Sequence, residues 1–142
     1  MRIVYLSLLL CFLLVNSVHA LSDERILVTT HSTGAGVYNA GVASWFSDYN
    51  SEHGTNLQIS HMYYPNTPYP WENYPYDYWH LWVDGNCDPN TPNIQCLDDF
   101  AANYDVVSWK HCFPSSGVLE DTGSPDISSS RKSLENYKLQ YH

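Results

Sequence analysis

Residues Arg25 to Tyr63 constrain the fold more than any other part of this chain. Arg25-Ile26-Leu27-Val28-Thr29-Thr30-His31 is a short, β-branched, apolar run and reads as a buried strand. Ser32-Thr33-Gly34-Ala35-Gly36 breaks it. Val42, Trp45, Phe46 and Tyr49 then fall at i, i+3, i+4 and i+7, the spacing of one helix face. Gly54 marks the helix end, and Leu57 to Tyr63 alternates as a second strand. Strand, helix and strand in that order favour a parallel pair joined by a right-handed crossover.

The rest of the chain extends that pattern. Between Met62 and Val83, nine of 22 residues are Tyr or Trp and four are Pro. Pro65, Pro68, Pro70 and Pro75 forbid a long helix or a central strand up to that point. Beyond Pro75, Tyr78, Trp79 and Trp82 form the apolar face of a short helix. A further short helix is expected over Ile94 to Tyr104, with Leu97, Phe100 and Ala101 inward. Tyr104 to Phe113 reads as a third strand, ended by Pro114. Ser128-Ser129-Ser130 offers caps for a last helix carrying Leu134, Tyr137 and Tyr141. The fold class expected is therefore α/β: a three-layer α/β/α arrangement on a parallel sheet. Three strands are few for such a sheet. The last helix also carries no Gly or Pro stop after Tyr141, so the expectation is the N-terminal part of a larger domain.

The first twenty residues are set apart from the fold. Arg2 is followed by Ile3 to Val15, an almost unbroken apolar run, and then by small residues at Val18 and Ala20. That is the layout of a secretory signal cleaved after Ala20, leaving residues 21–142 as the mature, secreted domain. The run is short for a bilayer span, so no membrane attachment is expected after cleavage. The 142-residue chain carries 6 Lys and Arg against 15 Asp and Glu. This balance excludes a nucleic-acid partner, since phosphate contacts need clustered cations. In an oxidising compartment Cys87 and Cys96, which flank a turn-rich stretch, are the natural disulfide pair. Cys112 is left over, as either a buried inert thiol or a reactive one. His31, His53, His61, His80 and His111 show no HxH or HxxxH pairing, so neither a metal nor a cofactor is expected.

Chemistry in open α/β sheets gathers at the carboxyl ends of the strands. One such end carries Ser32, whose Oγ is raised above the sheet edge, or which, with Thr33, caps the helix. Gly34 and Gly36 follow it, and free N–H groups there suit an oxyanion. A second end carries Lys110 and His111, a rare cation and a histidine able either to bond a substrate or to pack. Lys110 has Asp105, Glu120 and Asp121 as possible ion-pair partners. Trp71, Tyr76 and Trp79 are either rings for stacking on a sugar or part of a core. Asp77-Tyr78-Trp79-His80 has the spacing of an acid–histidine dyad, but lies between the second and third strands.

The strand ending at His31-Ser32-Thr33-Gly34, the helix Gly41 to Phe46, the Tyr74 to Trp79 stretch and the strand Tyr104 to Pro114 together resemble the SGNH/GDSL-type hydrolase superfamily. The resemblance spans most of Leu21 to His142. It implies a flavodoxin-like sheet and an ester hydrolase, acting on a small-molecule or carbohydrate ester, with Ser32 as nucleophile and His111 assisting. Thr30-His31-Ser32 stands where that superfamily has Gly-Asp-Ser. Lys110-His111-Cys112 stands where it has Gly-x-Asn-Asp. Its Asp-x-x-His element, which supplies the base, lies further toward the C-terminus than this sequence reaches. A non-catalytic, secreted carbohydrate-binding protein using residues 63–82 is the alternative.

Overall fold

The computed structural model describes residues 23–70, 72, 74–112 and 117–141. The export segment expected over residues 1–20 and Trp71 lie outside them. Strand β1 (Arg25–Thr29) occupies the centre of a three-stranded sheet, between β2 (Gln58–Met62) and β3 (Val106–Trp109). Both pairings are parallel, with Val28 opposite His61 and Ser108. The expected strand–helix–strand crossover is present: α1 (Ser32–Val37), a wide π turn over Tyr38–Val42, and α2 (Ala43–His53) lead into β2. Gly54 closes α2 in the left-handed region at φ 65°, a conformation that costs a residue with a Cβ.

Side chains alternate across a strand, so the register sorts the sheet into two faces. Leu27, Met62 and Val107 share one face with Thr29 and Trp109. This face meets α3 (Pro75–Tyr78), its π-turn continuation Trp79–Val83, and α4 (Leu97–Asn103). The core sits here: Leu27, Tyr64, Tyr78, Leu81 and Phe100 form one buried cluster, with Met62, Trp82 and Val107 against it. The tyrosines are admitted because their hydroxyls find partners. Tyr64 OH donates to Gln95 O at 2.6 Å and Tyr78 OH to Tyr64 O at 3.3 Å, while Trp82 Nε1–H donates to Tyr64 Oη at 2.7 Å. The aromatic stretch is thus a main part of the core. Tyr64, Tyr74, Tyr78 and Trp79 are all buried.

The opposite face carries Ile26, Val28, Ile59, His61, Val106 and Ser108. Tyr38 lies on it, stacked on the His61 ring at 4.9 Å with its hydroxyl donating to Ile59 O. No residue of α2 is buried, and Trp45 is 58% exposed despite its place in the predicted apolar face. Val106, on this face of the edge strand β3, is exposed too, as is Trp109 on the other face.

Cys87 and Cys96 form the expected disulfide, with Cα atoms 5.0 Å apart. Cys112 is buried. The last helix, α5 (Leu134–Gln140), is capped by Ser133, whose hydroxyl accepts from Asn136 N–H; Ser128-Ser129-Ser130 lies in the preceding loop. Leu119 N–H donates to Lys132 O, just before that cap. Asp105 pairs with Arg25 at 3.2 Å, and the Lys110 ammonium donates to its neighbour's carbonyl, His111 O, at 2.9 Å. No helix among the described residues is long and apolar enough to cross a membrane.

Candidate functional site

The carboxyl end of β1 delivers Ser32 to the sheet rim at the first residue of α1. Its backbone is unusual. Ser32 has φ 50°, the only positive φ among the described non-glycine residues. A residue with a Cβ in this region costs of order 1–3 kcal/mol, and such strain is retained where the surroundings over-determine it. Helix capping does not account for the strain. The N-cap of α1 is His31 at φ −125°, and no side chain caps this helix. Ser32 is exposed, with its hydroxyl at the rim.

Three contacts hold the turn in place. A Cβ on Gly34 would lie 2.7 Å from both Cβ and Oγ1 of Thr30, so only glycine lets the helix start this close to the strand it follows. The Gly34 N–H donates to His31 O at 3.1 Å, which commits it to the turn rather than to an oxyanion. The buried His31 ring bonds Pro65 O at 2.7 Å through Nε2. A carbonyl only accepts, so Nε2 carries the proton. Burial, more than the neighbouring His61, holds the His31 pKa below its ordinary value, with the Pro65 bond opposing. Gly36 has open space around it.

His61 is the member of this region that sequence patterns did not single out. Its Nε2 lies 3.1 Å from Thr30 Oγ1, its ring is edge-on to Tyr63 at 4.9 Å, and Tyr38 covers its other side. The signal was available in the β2 alternation, which puts His61 on the same face as Val28 and Thr30.

His111 lies elsewhere on the rim. It is half-buried, edge-on to Tyr78 at 5.2 Å and to Tyr141 at 5.5 Å, in an apolar pocket with Trp82 and Trp109. Lys110 is exposed beside it. Trp79 is buried against the same pocket. Asp77 and His80 do not form a dyad. Asp77 accepts from the N–H groups of Glu72 and Tyr74, while His80 Nδ1 faces Asp84 at 3.3 Å. Tyr76 stacks on His80 at 5.2 Å. Among the described residues, no group of three His, Cys, Asp or Glu side chains gathers as a metal site.

No family model matches the chain, and no curated protein or solved structure matches it significantly.

Proposed function

We propose a secreted, SGNH-like serine hydrolase of esters, built on a three-layer, flavodoxin-like sheet, with Ser32 as nucleophile. The observation that carries the reading is the Ser32 backbone. A serine at the carboxyl end of the central parallel strand, exposed and held at φ 50° with no capping role, is strained where strain aids attack. Gly34 and Thr30 fix the turn, and His31 ties it to the Pro65 loop.

In this reading Ser32 Oγ attacks the ester carbonyl carbon and a general base takes its proton. The alcohol leaves, and water then releases the acid from the acyl-enzyme. The superfamily's Asp-x-x-His element has no counterpart after β3 in this sequence, and the base is left unassigned. A base must come within about 3 Å of Oγ. His31 is turned to Pro65 and His61 to Thr30, so neither is assigned that role.

The test is a fluorophosphonate probe followed by peptide mapping. The account expects an adduct on the peptide containing Ser32 and its loss in Ser32→Ala. Labelling that survives Ser32→Ala unchanged overturns it.

A further inference from the structure

Tyr69, Glu72, Tyr74, Tyr76 and His80 on one segment, with the loop holding Ser130 and Lys132, line an open cleft of about 530 Å³ that the hydrolase reading does not use. Ordinary small-molecule sites span about 300–1,000 Å³. One wall is a flat platform, the half-buried Tyr76 ring stacked on His80 with only 10° between their planes. Facing groups are polar. The Lys132 ammonium is ion-paired with Glu72 and lies 5.2 Å from the centre of the Tyr74 ring. Tyr74 OH donates to Ser130 O at 3.0 Å, which fixes the loop against the segment.

The cleft's own groups narrow the ligand chemistry. Asp77, at 2% exposure, is committed to holding the segment together: it accepts from Glu72 N–H, Tyr74 N–H and the Tyr69 hydroxyl. Burial first, and the Asp77 charge second, drive the Tyr69 pKa up, so that hydroxyl stays protonated and neutral. Glu72 and Asp77 outnumber Lys132, which disfavours an anion in a chain already at −9. A cation is disfavoured because Lys132 already occupies the aromatic face and Glu72. A wholly apolar ligand would strip water from the ion pair without replacing its hydrogen bonds. A neutral ring with many hydroxyls and an apolar C–H face meets every condition. Its slightly positive C–H edge suits the negative face of an aromatic ring, and its hydroxyls can both donate to Glu72 and accept from Lys132.

We propose that this cleft binds a neutral pyranose sugar, stacked on the Tyr76–His80 platform and hydrogen-bonded to Glu72 and Lys132. The proposal is independent of Ser32 chemistry, and its test is built to fail separately. Cellobiose, maltose and lactose are each titrated into the full chain, followed by saturation-transfer NMR and intrinsic fluorescence. At least one is expected to bind saturably, with equal affinity in wild type and Ser32→Ala. Tyr76→Ala should weaken that sugar about tenfold and Tyr76→Phe should leave it within about twofold. Glu72→Gln, at an exposed position that leaves the core intact, should also weaken it severalfold. Three results overturn the proposal: no saturable binding by any of the three sugars, binding unaffected by both Tyr76→Ala and Glu72→Gln, or tighter binding of phenyltrimethylammonium or inorganic phosphate than of every sugar.

Discussion

The two faces of this sheet are finished to different degrees. On one, Leu27 meets Tyr64, Tyr78, Leu81 and Phe100, and the Tyr64 and Tyr78 hydroxyls donate to Gln95 O and Tyr64 O. On the other, Ile26, Val28 and Ile59 are only partly buried, and α2 contributes no buried residue. Burial, and with it the stability it supplies, is concentrated on the side of α3 and α4. The candidate nucleophile sits at the carboxyl end of β1, the strand that both faces share. Strain at Ser32 is sustained by the close approach of Gly34 to Thr30 and by the His31–Pro65 bond.

The largest effects should break this contrast if it is wrong. Leu81→Ala removes a fully buried side chain and should cost about 2–5 kcal/mol, while Trp45→Ala on α2 should cost no more than about 1, both from urea unfolding. Similar losses from the two would mean that both faces carry the fold. Replacing Cys87 and Cys96 with Ser opens a short loop on the dense side and should cost about 2.5 kcal/mol in the chain-entropy picture. Gly34→Ala should cost about 1–3 kcal/mol, since its Cβ meets Thr30 and one of the two must shift.

A pH effect sharpens the same strand end. The folded-state pKa of His31 lies below the unfolded value of 6.5, so the unfolded chain takes up its proton first as the pH falls. The contribution from His31 is whole above about pH 6.5 and is lost as the pH drops through the folded-state value. Denaturant melts at pH 7.5 and 5.5 should therefore differ, and His31→Gln should reduce the difference.

The elements that sequence patterns identified are those set by local chemistry. The crossover from β1 to β2, the stop at Gly54 and the Cys87–Cys96 pairing each follow from neighbours in the chain. Where long-range contacts decide, the pattern was ambiguous. Ser128 to Ser130 read as the caps of the last helix, but Ser133 caps it and the three serines lie in the preceding loop. Tyr76 and Trp79 could stack on a ligand or pack, and the fold buries Trp79 while leaving Tyr76 half-buried against His80. At the site, the position of Ser32 was legible, but its backbone strain was not: a positive φ at a serine leaves no mark on composition or spacing. Nor was the link from His31 to Pro65, which spans 34 residues.

The most direct measurement compares the unfolding free energies of Ser32→Gly and Ser32→Ala with that of the wild type. If Ser32 is held in the left-handed region, glycine relieves the strain, and Ser32→Gly should be about 1 kcal/mol more stable, with Ser32→Ala within a few tenths of wild type. An ordinary helical residue would show the opposite order, with glycine about 0.5–1 kcal/mol less stable than alanine. That order would contradict the strained serine on which the functional reading rests.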